Sequence, residues 1–185
     1  MMKITTIKVG DLATNCYLLE KNGKVLIIDP GDDFSLIKSK IESKHVVGCL
    51  VTHFHFDHIG ALEEVLSYYN LEVNKVTDPD FVFETIETPG HTFDSKTFYF
   101  KNEKVMFTGD FIFKSSIGRT DLGGNDKDMV YSLNLIEKYA GNKRKLKRDI
   151  KKKQKKNLID ESIIQESYAK QYLKMVCNCI YKKVD

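Results

Sequence analysis

At 185 residues the chain is long enough for one domain with a sizeable core. Its formal charge of +3 is misleading: residues 143–156 hold ten Lys or Arg and one Asp, a net +9 that leaves −6 for the rest, the balance of an ordinary acidic cytoplasmic enzyme. No apolar stretch approaches the roughly 18 residues of a membrane span, and Met1-Met2-Lys3-Ile4-Thr5 opens into strand-like sequence rather than a signal peptide, so a cytoplasmic protein with no membrane contact is expected.

Residues 3–9 and 16–19 read as strands. Asn22-Gly23 is a hairpin signal, and Val25-Leu26-Ile27-Ile28 is the returning strand, ended by Asp29-Pro30-Gly31. Phe34, Ile37 and Ile41 are spaced for a short amphipathic helix. Val46 to Val51 is the next strand, and Ala61, Leu62, Val65, Leu66 and Tyr69 mark one face of the helix that follows. Phe81 to Ile86 reads as a strand leading into the turn Thr88-Pro89-Gly90-His91-Thr92. Thr97 to Phe100, a turn at Lys101 to Lys104, and Val105-Met106-Phe107 read as a hairpin. After a Gly-rich loop, Met129, Leu133 and Ile136 share one side of a helix at about 127–140 that stops at Gly141. Strands alternating with helices suggest sheets covered by helices. Of the four cysteines, Cys16 and Cys49 lie in apolar runs as buried thiols, and Cys177 and Cys179 show no disulfide spacing.

The chemistry concentrates between the fourth strand and the helix after it. His53-Phe54-His55-Phe56-Asp57-His58 packs three imidazoles and a carboxylate into six residues. Neutral nitrogen and anionic oxygen at that density suit a borderline metal such as zinc or iron. His91 in its turn and Asp110 just past Val105-Met106-Phe107 add two more donors at strand ends. Four of the five histidines belong to this set. The fifth, His45, lies eight residues before His53, over 20 Å along a straight strand at about 3.3 Å per residue, so a surface or structural role is expected for it.

Thr52-His53-Phe54-His55-Phe56-Asp57-His58-Ile59-Gly60, Thr88 to Thr92, Thr108-Gly109-Asp110 and Ile117-Gly118-Arg119-Thr120-Asp121-Leu122-Gly123-Gly124 resemble the metallo-β-lactamase superfamily, in its glyoxalase II-like (hydroxyacylglutathione hydrolase-like) branch. Asn15-Cys16-Tyr17-Leu18-Leu19 and Ile28-Asp29-Pro30-Gly31 are similar to that branch too, and the likeness covers roughly residues 3–140. The resemblance implies an α/β (α+β) fold, the four-layer αβ/βα sandwich, with metal at the upper edge between the sheets. It implies His53, His55 and His91 on a first metal, Asp57 and His58 on a second, and Asp110 bridging, with zinc as the cofactor, one or two ions, and iron or manganese as alternatives. Asp57 would be the catalytic residue that orients the water or carries its proton, and Arg119 and Asp121 would brace the site. The late histidine that the family adds to the second metal has no counterpart, because no histidine follows His91. Cys177, Cys179, Asp160, Glu161 or water could fill that position.

The implied activity is hydrolysis of a small-molecule thioester by hydroxide that the metal makes available at neutral pH. Two other readings stand beside it: a mononuclear iron persulfide dioxygenase using His53, His91 and Asp110, and a catalytically impaired relative. Nuclease activity ranks low. The basic run 143–156 is expected to be a solvated linker, not a nucleic-acid site. The domain is therefore expected at 1–141, the linker at 142–158, and an amphipathic helix at 159–185. The lysine-rich change of character after Gly141 reads as either a shifted reading frame or divergence. The sequence names neither the thiol carrier nor the oligomeric state.

Overall fold

The computed structural model describes residues 1–113 and 116–139. The expected linker and C-terminal helix, and the end of the last predicted helix at Gly141, lie outside the described residues. Strands β1 (Lys3–Val9), β2 (Thr14–Lys21), β3 (Lys24–Ile28) and β4 (His45–Leu50) form a sheet in the order β1-β2-β3-β4. β1 and β2 pair antiparallel from Lys3 opposite Glu20 to Val9 opposite Thr14, so β2 starts two residues earlier than its apolar core suggests. Asn22 (φ 51°) and Gly23 (φ 75°) both take positive φ, as the tight two-residue hairpin between β2 and β3 requires. β3 runs parallel to β4. Such a pair needs a crossover, which helix α1 (Phe34–Ile41) supplies. Val25 to Ile28 are all buried, the continuous apolar run expected of an interior strand with both faces covered.

The core of this part follows the period-2 pattern of the strands. Ile7, Val9, Cys16, Leu18, Val25, Ile27, Val46 and Cys49 cluster with Ile37 and Ile41 of α1 and with Val65 of helix α3 (Leu62–Tyr69). Ile37, Ile41 and Val65 are fully buried. Each such side chain stabilises the fold by about 1.5–3 kcal/mol relative to exposure. The helix expected to open at Ala61 is preceded by a short separate one, α2 (Phe56–Ile59), inside the histidine-rich segment.

Strands β5 (Glu84–Glu87), β6 (Lys96–Phe100) and β7 (Val105–Phe107) form a second sheet in that order. β5 begins three residues later than the strand expected at 81–86. The Phe81 amide donates instead to Asp78 O at 3.1 Å, in a turn whose carboxylates, Asp78 and Asp80, both pair with Lys24. That ammonium holds both carboxyls below their usual range. The aromatic alternation reflects inward packing rather than pairing: Phe81 is buried, and the Phe83 ring meets Phe98 edge-on and Phe100 at 5.2 Å.

The described chain divides into two compact units, Met1–Ile86 with Lys96–Glu103, and Glu87–Ser95 with the residues from Lys104 on. In the second, a 3-10 turn at Gly109–Phe111 follows β7, and helix α4 covers Asp126–Ile136, continued by a 3-10 turn to Tyr139. The Asn125 side chain caps α4 by accepting the Asp128 amide at 2.9 Å, and Asp126 and Asp128 place negative charge on its first turn. α4 is bound to the His91 turn. Ser132 Oγ donates to Pro89 O at 2.5 Å, and the Asn125 amide donates to Gly90 O at 3.1 Å. Gly90, at φ 146°, passes so close that a Cβ would lie 2.5 Å from the Met129 Cα. No helix among the described residues is long and apolar enough to cross a membrane.

Candidate metal centre

In the first unit the donors hang from the carboxyl ends of two parallel strands. Asp29 lies just past β3 with a positive φ of 52°, and Thr52 lies just past β4. Asp29 is 1% exposed, and its carboxylate takes three hydrogen bonds: from the Thr52 amide at 2.7 Å, the Thr52 hydroxyl at 2.7 Å and His58 Nδ1 at 3.0 Å. Three donors on one anion are what a buried carboxylate needs to offset lost hydration.

These bonds decide where each imidazole carries its proton. An ionised carboxylate only accepts, so His58 donates from Nδ1 and, when neutral, holds its lone pair on Nε2. The single Thr52 hydroxyl proton is spent on Asp29. Towards His53 Nδ1, 3.2 Å away, the hydroxyl can therefore only accept. His53 too carries Nδ1–H and its lone pair on Nε2. Its Nε2 lies 3.1 Å from His55 Nδ1, and the His53 and His58 rings are 4.2 Å apart between centroids. One ligand nitrogen each of His53 and His55, and of His53 and His58, comes within 4.8 Å. Asp57, on the first turn of α2, turns Oδ2 towards His58 Nε2 at 3.7 Å and accepts the Thr14 hydroxyl at 2.8 Å.

Backbone packing fixes this loop. Gly31 and Gly60 let the turn after β3 and the segment around α2 touch main chain to main chain. A Cβ on Gly31 would lie 1.8 Å from Asp57 O, and one on Gly60 would lie 2.2 Å from Gly31 O. The Ala61 amide donates to Pro30 O at 3.0 Å across the same contact.

In the second unit His91 is 3% exposed, and its Nδ1 donates to Arg119 O at 2.7 Å, which again leaves the lone pair on Nε2. That atom is 3.8 Å from Asp110 Oδ2, too long for a hydrogen bond and short enough for both to reach one ion at about 2.0–2.2 Å. Asp110 sits on the 3-10 turn after β7, held by the Thr108 hydroxyl donating to Ile112 O at 3.0 Å. Gly118 is needed here, since its Cβ would lie 1.8 Å from Asp110 O.

The first unit thus gathers His53, His55, Asp57 and His58, and the second gathers His91 and Asp110. Arg119 meets His91 through its carbonyl. Its guanidinium makes a two-pronged pair with Asp121 on the surface, which holds the Asp121 carboxyl down at about 2. Arg119→Ala keeps the carbonyl, so we expect metal content per chain, measured by plasma mass spectrometry, to stay at the wild-type value. A loss would assign the guanidinium a role that this geometry denies it. The pair itself adds stability above the ordinary carboxyl pKa of about 3.9 and loses it as pH falls towards 2. His45 sits at the exposed start of β4. Cys16 and Cys49 are fully buried, and burial pushes both thiols up, away from reactivity.

Sequence reasoning gave no role to Asp29, Thr52 or Thr14. The available signal was a carboxylate directly after an apolar strand and before Pro-Gly, and a hydroxyl directly before the first ligand histidine.

Comparisons with known proteins identify the family. The family model described as "Metallo-beta-lactamase superfamily" matches residues 9–73 and 71–160. A probable metallo-hydrolase of Bacillus subtilis is 31% identical over 173 residues, 71% of this chain and 82% of that protein. A hydroxyacylglutathione hydrolase of Haemophilus influenzae is 28% identical over 71% of this chain and 82% of its own length. Among solved structures, the di-iron-bound form of TTHA1623 superposes with a TM-score of 0.64 at 26% identity, covering 71% of this chain and 85% of that one.

Proposed function

The chain belongs to the metallo-beta-lactamase superfamily, with its αβ/βα fold, and is a metallo-hydrolase of it; from that premise we propose that its substrate is a small-molecule thioester. The observation that carries the metallo-hydrolase part of the reading is the common orientation of His53, His58 and His91, each with Nδ1 against an oxygen acceptor. Three different acceptors, Thr52 Oγ1, Asp29 Oδ2 and Arg119 O, each put a lone pair on Nε2. Structural histidines have no reason to share a tautomer, whereas ligand histidines typically donate their other nitrogen to such a partner.

His53, His55 and His91 would hold a first ion, Asp57 and His58 a second, with Asp110 shared. Neutral nitrogen with carboxylate oxygen fits zinc, and also iron or manganese. A bound divalent ion supplies a water that ionises near neutral pH and polarises a carbonyl. The chain's own part is positional. Asp29 and Arg119 O keep the imidazoles turned one way, and Asp57, steadied by Thr14, orients the water and accepts its proton. A thioester suits this chain because a thiolate, with a thiol pKa of about 8.5, departs readily and demands less of a second ion that lacks the late histidine. The likeness to a hydroxyacylglutathione hydrolase supports the same substrate class.

The test is hydrolysis of a hydroxyacylglutathione thioester, followed by loss of thioester absorbance, beside the equivalent oxygen ester and a β-lactam. We expect thioester turnover that a chelator abolishes and zinc restores. Oxygen uptake with glutathione persulfide in place of thioester cleavage would overturn the reading in favour of a mononuclear iron persulfide dioxygenase. No turnover of any of these by metal-loaded, folded protein would favour an impaired relative.

A further inference from the structure

Thr14 lies on the first residue of β2, opposite Val9 and 43 residues before Asp57. The loop between β1 and β2 is itself anchored. The Gly10 amide donates to Asp33 Oδ2 at 2.9 Å, and the Ala13 amide donates to Gly10 O at 3.0 Å, so the hydroxyl is delivered from a fixed point. It donates to Asp57 Oδ2, the same oxygen that stands 3.7 Å from His58 Nε2. We infer that Thr14 is a positioning residue for Asp57: it locks the carboxylate with Oδ2 beside His58 Nε2, at a spacing two ligands of one ion can adopt.

The argument is one of lost freedom. Asp57 keeps about a fifth of its side chain exposed (21%), and an aspartate so placed would otherwise sample several rotamers. His58, in contrast, is buried and fixed by Asp29. The pair is pre-arranged only if the carboxylate is also held, and the Thr14 hydroxyl is the group that holds it. The bond leaves Oδ1, and further acceptor capacity on Oδ2, for other partners.

This inference rests on the metal reading above, so the experiment must separate the two. Full-length apo protein is titrated with zinc against a chromophoric chelator, for wild type, Thr14→Val, Thr14→Ser and Asp57→Asn, with a thermal melt of each. Val keeps the shape of Thr and removes the hydroxyl; Ser restores it. Thr14→Ala serves as a second variant if Val disturbs the hairpin. We expect wild type and Thr14→Ser to hold two zinc ions. Thr14→Val should melt as wild type and keep the first ion, with affinity for the second lowered about 10–100-fold, as for other groups that orient a ligand. If Thr14→Val and Thr14→Ala bind both ions as wild type does while Asp57→Asn loses the second, the role of Thr14 is overturned and the metal reading stands. If Asp57→Asn also leaves zinc binding unchanged, the inference falls together with Asp57 as a ligand of the second ion; wild type that binds no zinc overturns the metal reading itself.

Discussion

Asp29→Asn is expected to give a folded protein that has lost most of its affinity for metal. Asn tolerates the positive φ of this position, and its amide oxygen can still accept the Thr52 amide. Its NH2 group, however, would stand where Oδ2 now accepts from both the Thr52 hydroxyl and His58 Nδ1. Two donors cannot face each other. The Thr52 hydroxyl would have to turn away, and His58 would have to move its proton to Nε2, the atom that must be bare to bind an ion. Losing such a partner typically costs 10–100-fold in metal affinity. Asp29→Ala goes further. It leaves two buried donors and a backbone amide without an acceptor and puts Ala at positive φ, which should cost about 3–5 kcal/mol. For a chain of this size that is a fall of roughly 10 °C in Tm. Metal content and a melting curve for each variant check both statements. Wild-type metal content in a folded Asp29→Asn protein would show that the His58 tautomer is irrelevant to binding.

Gly31→Ala is expected to be the most damaging single methyl group in the first unit. The backbone dihedrals at Gly31 are not the obstacle; space is. The new Cβ would lie 1.8 Å from Asp57 O and 2.9 Å from Asp57 C, and both are main-chain atoms that cannot swing aside. The turn is tied on its own side by the Gly31 amide to Asp29 O at 2.8 Å, so the segment bearing Asp57 and His58 must yield. A shift of an ångström in a reacting group costs about 100-fold in rate, and overpacking costs about 1–3 kcal/mol in stability. Gly23→Asn makes the comparison fair. It too adds a Cβ to a glycine in a turn, at a positive φ that Asn tolerates, but nothing lies within 4 Å, and it should leave turnover unchanged. Comparable turnover in the two variants would refute the steric account.

The parts of this molecule legible in its sequence are those whose cause is local. Asn22-Gly23 demands a tight turn wherever it occurs between strands, and Ile37 and Ile41 mark a helix face by spacing alone. His53 to His58 announces ligands by density. What the sequence hid depends on residues far apart meeting. Asp29 is joined to Thr52 and His58 across 23 and 29 residues, and Thr14 to Asp57 across 43. Nothing in the neighbourhood of either reveals its partner. The strand expected at Phe81 shows the converse error. Alternating aromatics produce the same pattern whether the chain pairs in a sheet or only turns its rings inward, and the Asp78 turn that takes the Phe81 amide decided between them.

The parallel entry of β4 beside β3 has a bearing on the order of events during folding. β1, β2 and β3 zip up as consecutive hairpins, with short loops to close. β4 can dock only after the α1 crossover has formed, and the loop-closure entropy of that longer connection comes first. Asp29 and Thr52 sit at the two strand ends that this docking brings side by side. The bonds that set the imidazoles therefore belong to the late part of the reaction. Substitutions among them should act mainly on how fast the native chain comes apart, and little on how fast it assembles.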